Sequence, residues 1–250
     1  MFPLRDENPT RTFPLVVVLL IAANVAVFLY ELALPLGRQA LFQCTYAAIP
    51  AVVLGKVGWA QAVRPVLLHS TGLGGLTAQP LSPIWLTVFS SMFLHAGFWH
   101  LGGNMLYLWI FGNNIEDVLG HLRFLVFYLF CGLLAAAAQI LLSADSGVPM
   151  LGASGAIAGV LGAYYYRFPQ ARVLTLVMFV VFINVVWLPA SLVLLIWFLL
   201  QVMLSLSALG SHGSGGVAVF AHLGGFVVGW LLIRFAPGSS RPQPRLRRWE

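Results

Sequence analysis

Residues 151–167 read LGASGAIAGVLGAYYYR: a serine set among Gly and Ala opens an apolar run that closes on three tyrosines and an arginine. A helix in lipid uses small residues for close backbone packing, so this glycine strip by itself requires only a neighbouring helix. The rest of the chain is equally apolar. Of its 250 residues 60% are hydrophobic and 8% charged, with mean hydropathy +0.92; a water-soluble surface of that composition would aggregate. Apolar runs of helix-spanning length, rather than ten-residue alternations, select helices over a β-barrel. Each helix then satisfies its own backbone hydrogen bonds. The sequence predicts an all-α polytopic membrane protein, a bundle of six transmembrane helices at 13–31, 88–112, 122–142, 151–167, 188–207 and 217–234.

One membrane domain over 13–235 follows, with a cytoplasmic segment 1–12 before it and a basic cytoplasmic tail 236–250 after it. The first apolar run lacks a small-residue cleavage site and reads as a retained span. The stretch 32–87, broken by Pro and Gly yet too apolar for a solvated linker, is expected to lie partly in the interface. The net charge of +6 does not point to nucleic acid, because Arg234, Arg241, Arg245, Arg247 and Arg248 sit just beyond the last apolar run, as a cytoplasmic anchor would. With the N-terminus inside, these five join Arg5, Arg11, Arg123, Arg167 and Arg172, against Arg38, Lys56 and Arg64 outside. That asymmetry predicts N-in, C-in; the expected membrane is a bacterial plasma (inner) one. The run 173–187, VLTLVMFVVFINVVW, is short for a span, and a seventh helix would put the arginine tail outside; it is assigned to an interfacial or re-entrant segment. With only Cys44 and Cys131, neither a structural disulfide nor a thiolate metal cluster is expected.

Helix rise then converts sequence spacing to depth. Ser154 lies thirteen residues before Arg167, roughly 20 Å above the inner interface at ~1.5 Å per residue. His222, twelve residues before Arg234, reaches about 18 Å; His100 and Asn104, measured from Asn114, reach roughly 21 and 15 Å. Polar groups at such depth are costly unless they face one another or water. His100 and Asn104 share a helix face at i and i+4, as do His222, Gly225 and Gly229 within AHLGGFVVG. Glycine strips at Gly155 and Gly159 and at Gly225 and Gly229 let two helices approach closely.

A serine hydroxyl needs a base in hydrogen-bond reach to become a nucleophile at neutral pH, and His222 can serve. The oxyanion formed on peptide attack needs fixed donors, which the Ser154 N–H at a helix start, the Asn104 amide and the His100 imidazole could supply. Gly152 and Gly155 leave room for a substrate carbonyl. No acidic residue is expected at the depth of His222, so a Ser154–His222 dyad is favoured, with Asp145 as a weak third candidate. Glu116 and Asp117 with Arg123 read as a loop-stabilising charge set, Tyr164, Tyr165 and Tyr166 as an inner-interface belt, and Trp85, Trp99 and Trp109 as interface or packing aromatics. The Gly- and Ser-rich loop 208–216 is a candidate mobile cap.

HAGFWHLGGN (95–104), GNNIED with GHLRF (112–124), GASG (152–155) and AHLGGFVVG (221–229) together resemble the rhomboid family of intramembrane serine proteases, in the family's order. The resemblance implies a six-helix core, Ser154 as nucleophile, His222 as base, His100 and Asn104 in the oxyanion hole, and His95 as a structural or oxyanion-supporting residue. It implies a serine endopeptidase with no metal and no cofactor, acting on single-span membrane proteins within the lipid. Two family features are missing: Ala158 stands where some members carry an aromatic four residues after the serine, and 32–87 holds no Trp-Arg pair. The competing readings are an inactive rhomboid-like binder of membrane proteins and a small transporter; transport predicts charged relay residues inside the spans and inverted repeats.

Overall fold

A computed structural model describes residues 2–71, 79–179, 182–210 and 218–236. The expectations for the tail beyond 236 and for residues 211–216 of the glycine-rich loop fall outside them. The chain is mostly helical. In order come β1 (Phe2–Asp6), α1 (Leu15–Ala33), α2 (Leu36–Tyr46), α3 (Pro50–Val53), α4 (Trp59–Thr71), α5 (Leu86–Ser90), α6 (Phe98–Tyr107), α7 (Asn113–Leu119), α8 (His121–Leu142), α9 (Ser154–Arg167), β2 (Arg172–Phe179), β3 (Phe182–Pro189), α10 (Ala190–Gly210) and α11 (Val219–Leu232). Among the described residues α1 and α8 are long and apolar enough to cross a bilayer, while Ala190–Leu204 and Val219–Phe235 are shorter apolar helices.

The fold corrects the all-α expectation. The described residues of 173–187 form the paired antiparallel strands β2 and β3, and β1 adds to them as a third antiparallel strand, in the order β1-β2-β3. The segment is rich in β-branched residues, too short to span, and satisfies its backbone groups in the ladder instead. Segment 1–12 is correspondingly not a plain tail: Asp6 takes hydrogen bonds from Tyr164 Oη–H (2.6 Å) and Asn114 Nδ2–H (2.9 Å). Burial pushes the Asp6 carboxyl up to about 6. Tyr164 is fully buried, which removes it from the proposed tyrosine belt.

The expected span 88–112 is two helices. α5 continues through a 3₁₀ turn (Ser91–Phe93) and stops at an extended Leu94. A second rod begins at Phe98 and runs through α6, a widened π-helical turn at Leu108–Gly112 and α7 to Leu119. Gly112 sits where that turn crowds Val17 of α1: a Cβ there would lie 3.0 Å from both Leu108 Cδ1 and Val17 Cγ2. Below it, the buried Glu116 carboxylate receives the backbone N–H groups of Val16 and Val17, each at 2.8 Å, and contacts His121 Nδ1. These are orphan donors of the first turn of α1. Glu116 is thus a cap for another helix rather than one of a loop charge set, while Asp117 accepts from the Thr12 hydroxyl and N–H.

The described residues of 32–87 include the helices α2, α3 and α4 and the start of α5. α2 and α4 enclose a small core of Cys44, Ile49, Val52, Val63 and Leu67, and burial holds the Cys44 thiol up at about 11. Trp59 donates its indole N–H to Cys44 O at 3.0 Å. At the centre of the molecule stands α9, buried from Gly155 through Tyr164 and flanked by α8 and α11. Trp99, 96% exposed, points away from the core, and Trp85 and Trp109 are exposed as well.

Candidate active site

α9 and α11 meet backbone to backbone. A Cβ on Gly225 would lie 2.1 Å from Gly155 O, one on Gly229 1.9 Å from Gly159 O, and one on Gly162 2.0 Å from Phe226 O. No side chain larger than hydrogen is compatible with that approach, and it brings the upper ends of the two helices together. Ser154 Oγ and His222 Nε2 stand 2.7 Å apart there. The expected start of the fourth helix at 151 shifts to Ser154 itself, with Ala153 as its N-cap; its N–H is one of the helix's unpaired donors.

Gly152, just ahead, adopts φ +120°, a conformation that strains any residue with a Cβ. A Cβ there would lie 2.8 Å from His100 Nε2 and 3.5 Å from Asn104 Nδ2. The glycine therefore leaves open the space in front of two donors. His100 Nδ1 accepts from Ala96 N–H at 3.5 Å, which leaves its Nε2 to carry the proton on the Gly152 side. Asn104 Nδ2 spends one hydrogen on the buried His95 Nε2, at 2.9 Å, and the His95 ring packs edge-on against His100 at 5.1 Å. His95 thus holds the amide rather than facing the serine. Ser154, His222, His100, Asn104, Gly152 and Gly155 are brought together, with His95 behind them, while Gly225 and Gly229 make the contact of α11 with Gly155 and Gly159 of α9.

Asp145 is not among them. It forms an exposed ion pair with Lys56 at 2.7 Å, which corrects its standing as a third member. What faces the far nitrogen of His222 is Gln201 of α10: Oε1 lies 2.8 Å from Nδ1. Trp197, one turn earlier on α10, lies against the His222 ring at 6.0 Å, an aromatic contact supplied from a different helix than position 158. Gln139 of α8 is a second residue that the sequence reading passed over. Its Oε1 accepts the N–H groups of Phe220 and Ala221 at 2.9 and 3.2 Å, capping α11 immediately before His222. The available signal was the same for both: an isolated amide inside an apolar span.

The loop leading to Ser154 is strapped by Met150 N–H to Ala48 O (2.8 Å) and by Gly152 N–H to Ser91 O (2.9 Å). The first strap gives 32–87 a role, since Ala48 lies between α2 and α3. A small cleft borders Ser154, Gly152, Ser91 and Met92. A neighbouring, roomier cleft borders His100, Ala96, Gln139 and Ser146, and the two share Met150, Leu151 and Ala218. They lie at the end of α9 opposite the sheet. Among the described residues no group of three or more His, Cys, Asp or Glu is arranged to hold a metal ion.

A rhomboid-domain family profile matches residues 83–237. Over 96 residues the chain is 38% identical to "Rhomboid protein 1, mitochondrial" of Saccharomyces cerevisiae, covering 37% of this chain and 28% of that protein. It is 33% identical over 108 residues to the rat "Presenilin-associated rhomboid-like protein, mitochondrial", covering 42% and 29%. To "Rhomboid protease GluP" of Bacillus subtilis it is 40% identical over 82 residues, covering 33% and 16%. The matches thus span less than a third of the length of each of these relatives.

Proposed function

This chain belongs to the rhomboid family, a family of membrane proteins, and we propose that it is an intramembrane serine endopeptidase cutting transmembrane segments of other membrane proteins. The observation that carries the proposal is the 2.7 Å approach of Ser154 Oγ to His222 Nε2. In this reading Nε2 takes the hydroxyl proton as Oγ bonds to the scissile carbonyl carbon, and the carbonyl electron pair moves onto oxygen. The Ser154 N–H, His100 Nε2–H and Asn104 Nδ2–H stabilise that oxyanion. Collapse breaks the C–N bond, His222 returns the proton to the leaving amine, and water hydrolyses the ester by the same base. The substrate helix has to unwind locally, because its carbonyls are otherwise hydrogen-bonded and screened.

The six spans of this proposal are α1, the rod α6–α7, α8, α9, α10 and α11, with N and C termini inside, as the arginine distribution favours. The relatives carry mitochondrial as well as bacterial names; the bilayer is what they have in common, and assignment to a bacterial plasma membrane is the proposal's narrower form.

The test is cleavage of a reporter span by the purified chain, alongside Ser154→Ala and His222→Ala and labelling of Ser154 by a fluorophosphonate probe. Wild-type cleavage abolished in both variants is the expected result. Equal cleavage by Ser154→Ala removes the mechanism, and a wild type that binds reporter spans without cutting them identifies an inactive binder.

A further inference from the structure

Ser-His enzymes in water commonly orient the histidine with a carboxylate, which accepts from Nδ1–H and so leaves Nε2 free to take the serine proton. Here both ring nitrogens of His222 are engaged, Nε2 by Ser154 at 2.7 Å and Nδ1 by Gln201 Oε1 at 2.8 Å. An amide oxygen is purely an acceptor, so in this arrangement Nδ1 must carry the proton and Nε2 the lone pair. Turned over, the amide would present Nε2–H to Nδ1 and enforce the opposite tautomer, in which His222 donates to Ser154 and cannot act as its base.

We infer that Gln201 is a positioning residue that sets the tautomer of His222, so that the catalytic group is a neutral Ser154–His222–Gln201 chain in place of a charged triad. This rests on the protease reading above.

Three further observations favour it. Trp197, four residues before Gln201 and on the same face of α10, lies against the His222 ring and also stacks on Phe226 at 6.1 Å, so α10 fixes the ring's plane as well as its hydrogen bond. Around Gln201 the helix is otherwise apolar, with Leu199, Leu200, Met203 and Leu204 exposed on its outer side. A carboxylate at this position would bring an uncompensated charge into that setting, whereas an amide keeps its oxygen acceptor without one. Asp145, the acid offered by the sequence as a third member, is occupied with Lys56.

The experiment uses the full chain in detergent micelles and the variant Gln201→Met, which keeps side-chain length and removes the acceptor. Two readouts are needed. The first is kinetics on a reporter span together with the rate of fluorophosphonate labelling of Ser154. Gln201→Met should lower kcat and the labelling rate in parallel, by roughly 10- to 100-fold, with KM within about twofold, because the loss falls on activation of the serine and not on binding. The second is 15N NMR of histidine-labelled protein, with His222 assigned by the loss of its signals in His222→Asn. Wild type should show Nδ1 protonated and Nε2 bare; Gln201→Met should lose that preference. An Nε2–H tautomer in the wild type overturns the inference even if the variant does not fold, and so does a variant with wild-type kcat. A wild type that cleaves nothing defeats the protease reading instead, while the NMR measurement still decides the tautomer.

Discussion

Gly225→Ala is the sharpest perturbation of the site that leaves every polar group in place. The added methyl would lie 2.1 Å from Gly155 O, and carbon does not approach an oxygen closer than about 3 Å, so α9 and α11 must separate by about 1 Å where they meet. Gly155 neighbours Ser154 and Gly225 is three residues from His222, so the displacement passes almost undiminished to the dyad. Its 2.7 Å hydrogen bond would stretch to roughly 3.7 Å, beyond hydrogen-bond range. Misplacement of a reacting group by ~1 Å costs on the order of 100-fold in rate, and overpacking of a tight contact costs ~1–3 kcal/mol of stability. The assay pairs reporter cleavage with fluorophosphonate labelling and thermal unfolding in the same detergent. Gly102→Ala serves as control, since a Cβ there meets nothing within 4 Å. Cleavage by Gly225→Ala equal to the control's, at unchanged stability, would refute the argument that backbone contact between these helices sets the serine–histidine distance.

Gln139→Leu leaves the N–H groups of Phe220 and Ala221 without their acceptor and should destabilise the protein by ~1–3 kcal/mol, with slower labelling of Ser154, measured by unfolding in detergent and by the fluorophosphonate probe. Glu116→Ala strips the first turn of α1 of two charge-assisted hydrogen bonds and should cost about 3 kcal/mol or more, whereas Glu116→Gln, which keeps one acceptor oxygen, should cost less. Asp6 gives a pH dependence of defined sign. Its carboxyl is raised to about 6 in the folded chain from 3.8, so the docked state favours the protonated acid. Its contribution to docking is greatest below pH 3.8 and is lost as pH rises through about 6. Hydrogen exchange in β1 should therefore be slower at pH 5 than at pH 7.5 after correction for intrinsic rates, and Asp6→Asn should flatten that difference.

The residues of the candidate site were legible because each depends on spacing along a single helix. His100 with Asn104, and Gly225 with Gly229, share a face at four-residue intervals whatever surrounds them, and a serine among small residues marks a close helix contact. Gln201 and Gln139 were not legible, because their roles depend on how α10 and α8 are rotated about their axes, which packing decides. The strands β2 and β3 escaped for a different reason: both of their faces are apolar, so the two-residue alternation that marks a half-buried strand is absent. The break at Leu94–Gly97 was hidden in the same way, since hydropathy runs on through a stretch that the backbone leaves extended. Tyr164 looked like an interface residue because its acceptor, Asp6, lies 158 positions away.

The π-helical turn at Leu108–Gly112 divides one rod into two independently indexed halves. Each residue advances an α-helix by ~100° in azimuth, and a widened turn absorbs one extra residue. The donors His100 and Asn104 are thereby aimed at Gly152, while Glu116 and Asn114 further down are aimed at α1 and at Asp6. Chemistry and anchorage share a single helix without sharing a phase. Shortening that turn by one residue would swing the donors by ~100° away from the nucleophile and leave the clamp on α1 engaged.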